Sequence, residues 1–368
     1  MVLFSSGGFS VLYILVARDT NQRKFESPSY HFRAVWRWSL LLPHICGDVP
    51  VPETKAMCKI VVTKNSVNSF CSCRRQYDYK VNKGISPVET LKCYDNAVAL
   101  SKAVISSIVS YQSKHSVDEA LNKGVELING FGLEVTEGAQ VEAAFRAYVS
   151  RYYNADNDDW EVIENTIDAC VDVQVSPNVV YKTYLNCVVR NKTKNQYFVV
   201  LNRTVTSKID DSFIVRYLID NDIRMQVLAA KQLLGIENCG VIVNAIYRQA
   251  QTKMKEGETD EEYAARNAAR KSKADLKRKV GETRDEFVER MVADYPTENL
   301  RKFFVSFTDA QLTTAVSNVL AIASDIMSCK AFYPNTAECT KNGRCPYMSL
   351  CKCDGDLSRC ADEYKCEK

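Results

Sequence analysis

Between Ile167 and Thr206 the chain strings together three runs rich in β-branched residues, IDACVDVQVS, VVYKTYLNCVVR and NQYFVVLNRTVT. Val, Ile, Thr and Tyr at this density suit a pleated surface, so three consecutive strands are expected, the last two joined by the polar turn Asn191 to Asn195. Directly afterwards Asp220 to Leu234, DNDIRMQVLAAKQLL, is apolar at a helical period, and Gly240 to Tyr247, GVIVNAIY, reads as a buried strand. Strands alternating with a helix argue for an α/β fold, a mixed central sheet flanked by helices.

The flanking sequence predicts mostly helices. A helix starting at Asn65/Ser66 runs through VNSFCSCRRQYDYKV, with Phe70, Cys73 and Tyr77 at helical spacing, and ends at Gly84 to Pro87. Tyr94 to Tyr111 is expected to bury Val98, Val104, Ile105, Ile108 and Val109, and further helices are expected at Val117 to Leu127 and Val141 to about Tyr153. Thr252 to Tyr295 is charged, helix-forming and proline-free until Pro296, and Thr308 to Cys329 reads as a last helix. No internal repeat is apparent. The expected organisation is an N-terminal extension over 1–58, a domain over 59–353 with a charged helical insertion at about 252–295, and a cysteine-containing tail over 354–368.

A formal charge of +3 neither demands nor excludes nucleic acid. Fifteen cysteines are many, and seven fall in the last forty residues, a local enrichment that favours a metal or cluster site over a disulfide scaffold. The apolar run Phe9 to Ala17 has no basic segment before it and is short of the roughly 20 residues that span a bilayer. The expectation is a protein without a membrane span, in a reducing cytoplasmic compartment, its thiols available as ligands.

Magnesium-assisted phosphodiester hydrolysis needs acidic ligands held together and a cation for the developing charge. Two strands supply this when an Asp on one faces a Glu-x-Lys on the other, because alternate residues share a face. Here Asn186 lies on one expected strand, with Leu201 and Arg203 two apart on the next.

The order of motifs resembles the PD-(D/E)XK nuclease superfamily, in particular its RecB-like and CRISPR-adaptation exonuclease branch common in phages. Ser66, Phe70, Cys73, Arg75, Tyr77, Tyr79, Gly84, Ile85 and Pro87 match its initial segment. Leu201, Asn202, Arg203 and Thr204 match its Glu-x-Lys-Thr strand, followed by Ser207, Asp210 and Asp211. Gln226 occupies the place of the helix glutamine that approaches the active site. Asn335, Cys339, Cys345, Pro346, Tyr347, Leu350 and Cys351 resemble the family's tail. The resemblance implies catalytic positions at Asn186, Leu201, Arg203 and Gln226, and a [4Fe-4S] cluster on Cys73, Cys339, Cys345 and Cys351, a thiolate set that zinc would also accept.

The departures matter as much. Asn186 replaces a carboxylate, Leu201 offers no ligand, and Arg203 can hold phosphate but not act as a base. The family histidine has no counterpart, since the histidines are His31, His44 and His115. A catalytically impaired, DNA-binding homologue in recombination, repair or defence is the implied function, with DNA or a partner subunit as its partner. The rivals are an active magnesium enzyme recruiting Glu164, Asp168, Asp172, Asp210 or Asp211, and a cluster-stapled interaction module. Two ordinary strands unrelated to nucleases would also fit.

Other candidates have plain alternatives. Arg75, Tyr77 and Tyr79, with Arg74 and Lys80, would suit stacking on bases, or equally the core. The basic run Arg266 to Lys279 would track a phosphate backbone, or be a solvated face balanced by Glu258, Asp260, Glu261 and Glu262. Cys353, Cys360 and Cys366 read as exposed thiols ahead of a second site, and Cys170, Cys187 and Cys239 as small core residues.

Overall fold

The computed structural model describes residues 59–368 apart from 154–159, 208, 270–278, 342–343 and 367–368, and of the first 58 only a short hairpin. The chain divides into two compact units, Met1–Cys58 and Lys59–Lys368. In the first, β1 (Ser5–Ser6) pairs antiparallel with β2 (Phe9–Ser10). The apolar run beyond Ser10 and most of the basic run Arg266 to Lys279 lie outside the described residues.

The second unit opens with β3 (Ile60–Thr63) and α1 (Lys64–Ser72). Thr63 and Ser66 form a reciprocal cap: the Thr63 hydroxyl accepts the Ser66 N–H at 3.1 Å and the Ser66 hydroxyl accepts the Thr63 N–H at 2.7 Å. The long helix expected here is broken. Cys73 is extended (φ −157°, ψ 115°), after which α2 (Arg74–Tyr77) runs into a π turn at Asp78–Asn82. The physical reason lies far along the chain: the Asn335 side chain donates to the Ser72 carbonyl at 3.0 Å and its backbone N–H to Cys73 Sγ at 3.3 Å, supplying partners to groups that leave the helix.

Next come β4 (Ile85–Pro87), α3 (Val88–Gln112), α4 (Val117–Asn129) and α5 (Val135–Tyr152). Val104 and Ile105 of α3 are buried, whereas Val98 and Val109 are exposed, because the packing stripe is narrower than the apolar pattern. Phe145, Tyr148 and Val149 of α5 close a core with Leu100, Val104, Ala120 and Ile128.

The strand region is β5 (Trp160–Ile163), β6 (Ala169–Ser176), β7 (Val179–Leu185), β8 (Cys187–Asn191) and β9 (Gln196–Val205). It is followed by α6 (Asp211–Ile219), α7 (Asn221–Leu234) and β10 (Cys239–Tyr247). The chain ends through α8 (Asp260–Ala268), α9 (Arg284–Ala293), β11 (Leu300–Val305), α10 (Asp309–Ser328), α11 (Met348–Lys352) and β12 (Tyr364–Cys366).

The fold is α/β with mixed sheets flanked by helices. A five-stranded sheet has the order β11-β10-β9-β8-β5, and a three-stranded one the order β3-β7-β6. β9 and β10 are parallel, joined through α6 and α7, while the other pairs of the larger sheet are antiparallel. The run VVYKTYLNCVVR is therefore not one strand. It breaks at Asn186 and serves two sheets, since the Asn186 carbonyl accepts the Asp168 N–H at 3.0 Å and the Thr166 hydroxyl accepts the Val188 N–H at 2.7 Å. The preceding loop thus takes over ladder bonds at the kink. α6 and β11 were not anticipated; Phe303 of β11 is held by edge-on contacts with Phe213 and Tyr217 of α6.

An internal repeat is present after all. Lys255 to Arg266, KEGETDEEYAAR, matches Lys279 to Arg290, KVGETRDEFVER, at six of twelve positions. The copies exchange equivalent bonds: Glu258 N–H to Lys279 O at 3.2 Å and Glu282 N–H to Lys255 O at 3.1 Å. In each, a glutamate binds the arginine eight residues on, Arg266 Nε to Glu258 at 2.8 Å and Arg290 Nε to Glu282 at 2.9 Å. Each copy also begins its helix with a Thr-x-x-Glu capping box. The clasp needs glycine, since a Cβ on Gly257 would lie 3.0 Å from Gly281 N and one on Gly281 2.8 Å from Gly257 N. The copies differ in burial: α9 packs Phe287, Val288 and Met291 on Ala139 and Ala143 of α5, whereas α8 buries none of its residues.

Candidate functional site

The three substituted positions lie on β9 and on the bend that leads into its neighbour β8. β8 pairs with β9 from Cys187↔Val200 to Asn191↔Gln196, so the paired ladder stops one residue short of Asn186 on one side and of Leu201 on the other. Arg203 follows two residues along β9, on the face that Leu201 occupies. The alternation is visible in its neighbours. Asn202 points the other way and donates to Ser101 Oγ of α3 at 3.2 Å, while the Arg203 charge acts on Tyr217 of α6. Leu201 is fully buried beside Val243 of β10; Asn186 and Arg203 are half-buried. Burial pushes the Tyr217 phenol up, and the Arg203 charge pulls against it.

Helix α7 lies against β6, β7, β9 and β10 and carries Gln226, 6% exposed. Gln226 Nε2 donates to Asp222 Oδ2 at 2.9 Å, and its Oε1 is a buried acceptor without a protein partner. Asp222 also accepts Tyr181 OH at 2.9 Å and Lys64 Nζ at 2.9 Å. Burial, then the Asp222 charge, pushes the Tyr181 phenol strongly upward, so it remains a donor across the ordinary pH range. Sequence reasoning missed this carboxylate and its two partners from α1 and β7. The available signal was an acid in the first turn of α7, which reads locally as helix capping. Tyr181 and Lys64 lie 41 and 158 positions away.

The neighbouring carboxylates are engaged or dispersed. Asp168 lies 3.8 Å from Lys102, Asp172 lies 3.8 Å from Lys182, and Asp210 caps α6 by accepting the Phe213 N–H at 2.9 Å. Glu164 and Asp211 are exposed. Among the described residues, no three Asp, Glu, His or Cys side chains converge as a single-ion metal site.

The cysteine residues come from opposite ends of the unit and lie within electrostatic range of one another. Burial raises the Cys345 thiol, and Cys339 and Cys73 add to the shift; burial raises Cys351, with Cys345 and Cys73 adding. The four thiols share one electrostatic neighbourhood. Arg75 and Tyr79 act against the rise at Cys351. The tail is held down by Tyr347 OH donating to Ile85 O at 2.9 Å and by β12 pairing with β4.

Tyr77 and Tyr79 lie in the core, 6% and 0% exposed. Tyr77 contacts Phe70 and Phe332 at centroid distances of 5.3 and 6.1 Å, and Tyr79 contacts Tyr347 at 6.0 Å. Arg75 donates to Phe332 O at 2.7 Å and to Tyr79 OH at 3.3 Å. In this arrangement neither ring is presented for stacking on a base, and the core use of these residues is the observed one. Arg74 lies between the Phe70 ring at 5.3 Å and the exposed Tyr333 ring at 5.2 Å. Cys187 is fully buried, its thiol pushed up to about 12 by burial, but Cys170 is exposed rather than a core residue. Cys360, expected at the surface, is buried.

No family model and no curated protein matches the chain.

Proposed function

We propose that this chain is a PD-(D/E)XK-like, RecB-type nuclease homologue that binds DNA without efficient cutting. The observation carrying the reading is that Arg203 and the buried Leu201 stand two apart on β9, with Asn186 at the bend leading into the neighbouring β8, on a sheet that α7 contacts. Such a site offers a guanidinium for a phosphate and a buried leucine where hydrolysis would need a carboxylate. The active-enzyme rival has less support, because Asp168, Asp172 and Asp210 face other partners and Glu164 and Asp211 are exposed. A [4Fe-4S] cluster fits the donor set of Cys73, Cys339, Cys345 and Cys351, four neighbouring thiols from both ends of the unit, and would supply a structural tie between them. Zinc would need the four sulfurs within about 4 Å of one another, given Zn–S bonds of about 2.3 Å.

The test is binding of labelled single-stranded and duplex DNA at stepped salt, with and without magnesium or manganese. Expected is salt-sensitive binding without degradation, and a slope smaller by about one charge in Arg203→Ala. Metal-dependent degradation abolished by a chelator would overturn impairment, and no binding at low salt would leave the interaction module. Iron and sulfide analysis of anaerobically prepared protein tests the cluster, and one equivalent of zinc without iron would refute it.

A further inference from the structure

Two cysteines of the tail lie outside the four-thiol set, and the chain folds back to join them. Cys353 closes α11, its N–H donating to Ser349 O at 3.2 Å. Asp354 (φ 52°) and Gly355 (φ 87°) then take left-handed conformations and reverse the chain. Asp356 ties both ends of the reversal: its N–H donates to Cys353 O at 3.0 Å, and its carbonyl accepts Cys360 Sγ–H at 3.6 Å. The Cys353 thiol lies within electrostatic reach of Cys360 across the reversal and adds to the upward push that burial gives the Cys360 thiol. Both are unbridged, with Cys360 buried and Cys353 partly exposed.

We propose that Cys353 and Cys360 form a dithiol pair that closes to a disulfide by exchange with a small-molecule disulfide such as glutathione disulfide. The more accessible Cys353 sulfur attacks one sulfur of the reagent, breaking its S–S bond and releasing one glutathione thiol. Cys360 then attacks the Cys353 sulfur of the mixed disulfide and releases the second. The protein loses two electrons and two protons, and the reagent is reduced to two thiols.

The link would lock a reversal that rests on the wall of the four-thiol site. A Cβ on Gly355 would lie 3.2 Å from Tyr79 Oη, so the turn sits directly on Tyr79, which belongs to the apolar cluster that Cys345 and Cys351 pack against. The pairing concerns cysteines beyond the nuclease-like pattern and holds whether or not DNA is bound.

The sequence provides a clean test, because trypsin cuts after Lys352, Arg359 and Lys365 and so separates Cys353–Arg359 from Cys360–Lys365. The full chain is incubated with glutathione disulfide, remaining thiols are alkylated, and the unreduced digest is weighed by mass spectrometry. Expected are the two peptides joined, two hydrogens lighter than their sum, as the dominant form of both; Cys360→Ser is expected to stop at the mixed disulfide on Cys353. Both thiols alkylated, a persistent mixed disulfide in the unaltered chain, or linkage to Cys351 or Cys366 would overturn the proposal.

Discussion

Replacing Asp222 by alanine removes the acceptor that joins α1, β7 and α7, and the structure sets the scale of the loss. Three donors reach this carboxylate at 2.9 Å: Lys64 Nζ, Tyr181 OH and Gln226 Nε2. Lys64 has a side chain 43% exposed and returns to water, so its ion pair is worth at most about 1 kcal/mol. Tyr181 and Gln226, 2% and 6% exposed, have no such escape. Each orphaned buried donor costs about 1–3 kcal/mol, offset in part because a buried charge is removed as well. The expected loss for Asp222→Ala is about 3 kcal/mol, against about 1.5 kcal/mol for Tyr181→Phe, which deletes one bond to a charged acceptor. Urea unfolding of both variants and their double mutant measures this. The double mutant should fall short of additivity by about 1 kcal/mol or more, because the residues share one bond. A loss below about 1 kcal/mol for Asp222→Ala, or full additivity, would refute the network as a stabilising unit.

Three other perturbations test separate parts of the structure. The Arg290 guanidinium, followed by the Lys255 N–H, holds the Glu282 carboxyl down at about 2. Its contribution is therefore complete above the ordinary value of about 4.3 and lost as pH falls toward 2; hydrogen exchange across α9 should accelerate in that window, and Glu282→Gln should flatten the dependence. Gly281→Ala forces a Cβ to within 2.8 Å of Gly257 N, so exchange at the Glu258 and Glu282 amides is expected to rise, while unchanged protection would show that the clasp yields freely. Leu201→Ala empties a fully buried position and should cost about 2–5 kcal/mol in chemical denaturation. A value under about 1 kcal/mol would mean that the site collapses around the gap.

Some features were legible because neighbouring residues suffice to specify them. The α10 start at Thr308 follows from a capping sequence, and the end of α7 from Gly235 in the left-handed region. The repeat around Gly257 and Gly281 was also written in the sequence, but half its positions differ and the charged composition masks it. Cys73 illustrates the opposite case. Helical spacing carries α1 through it, whereas hydrogen bonds from Asn335 favour the break.

By itself the sequence determined most of the segments that extend as strands or wind as helices, hence the α/β class, since periodicity and caps act over a few residues. It also determined that Asn186, Leu201 and Arg203 are the side chains available at their positions. Only the tertiary structure decided that one β-branched run would split at Asn186 between two sheets, and that Asp222 would be buried among Lys64, Tyr181 and Gln226. It alone brought Cys73 to the cysteines of the tail. Those outcomes depend on partners tens to hundreds of residues apart, whose contacts exist only once the core has brought them together.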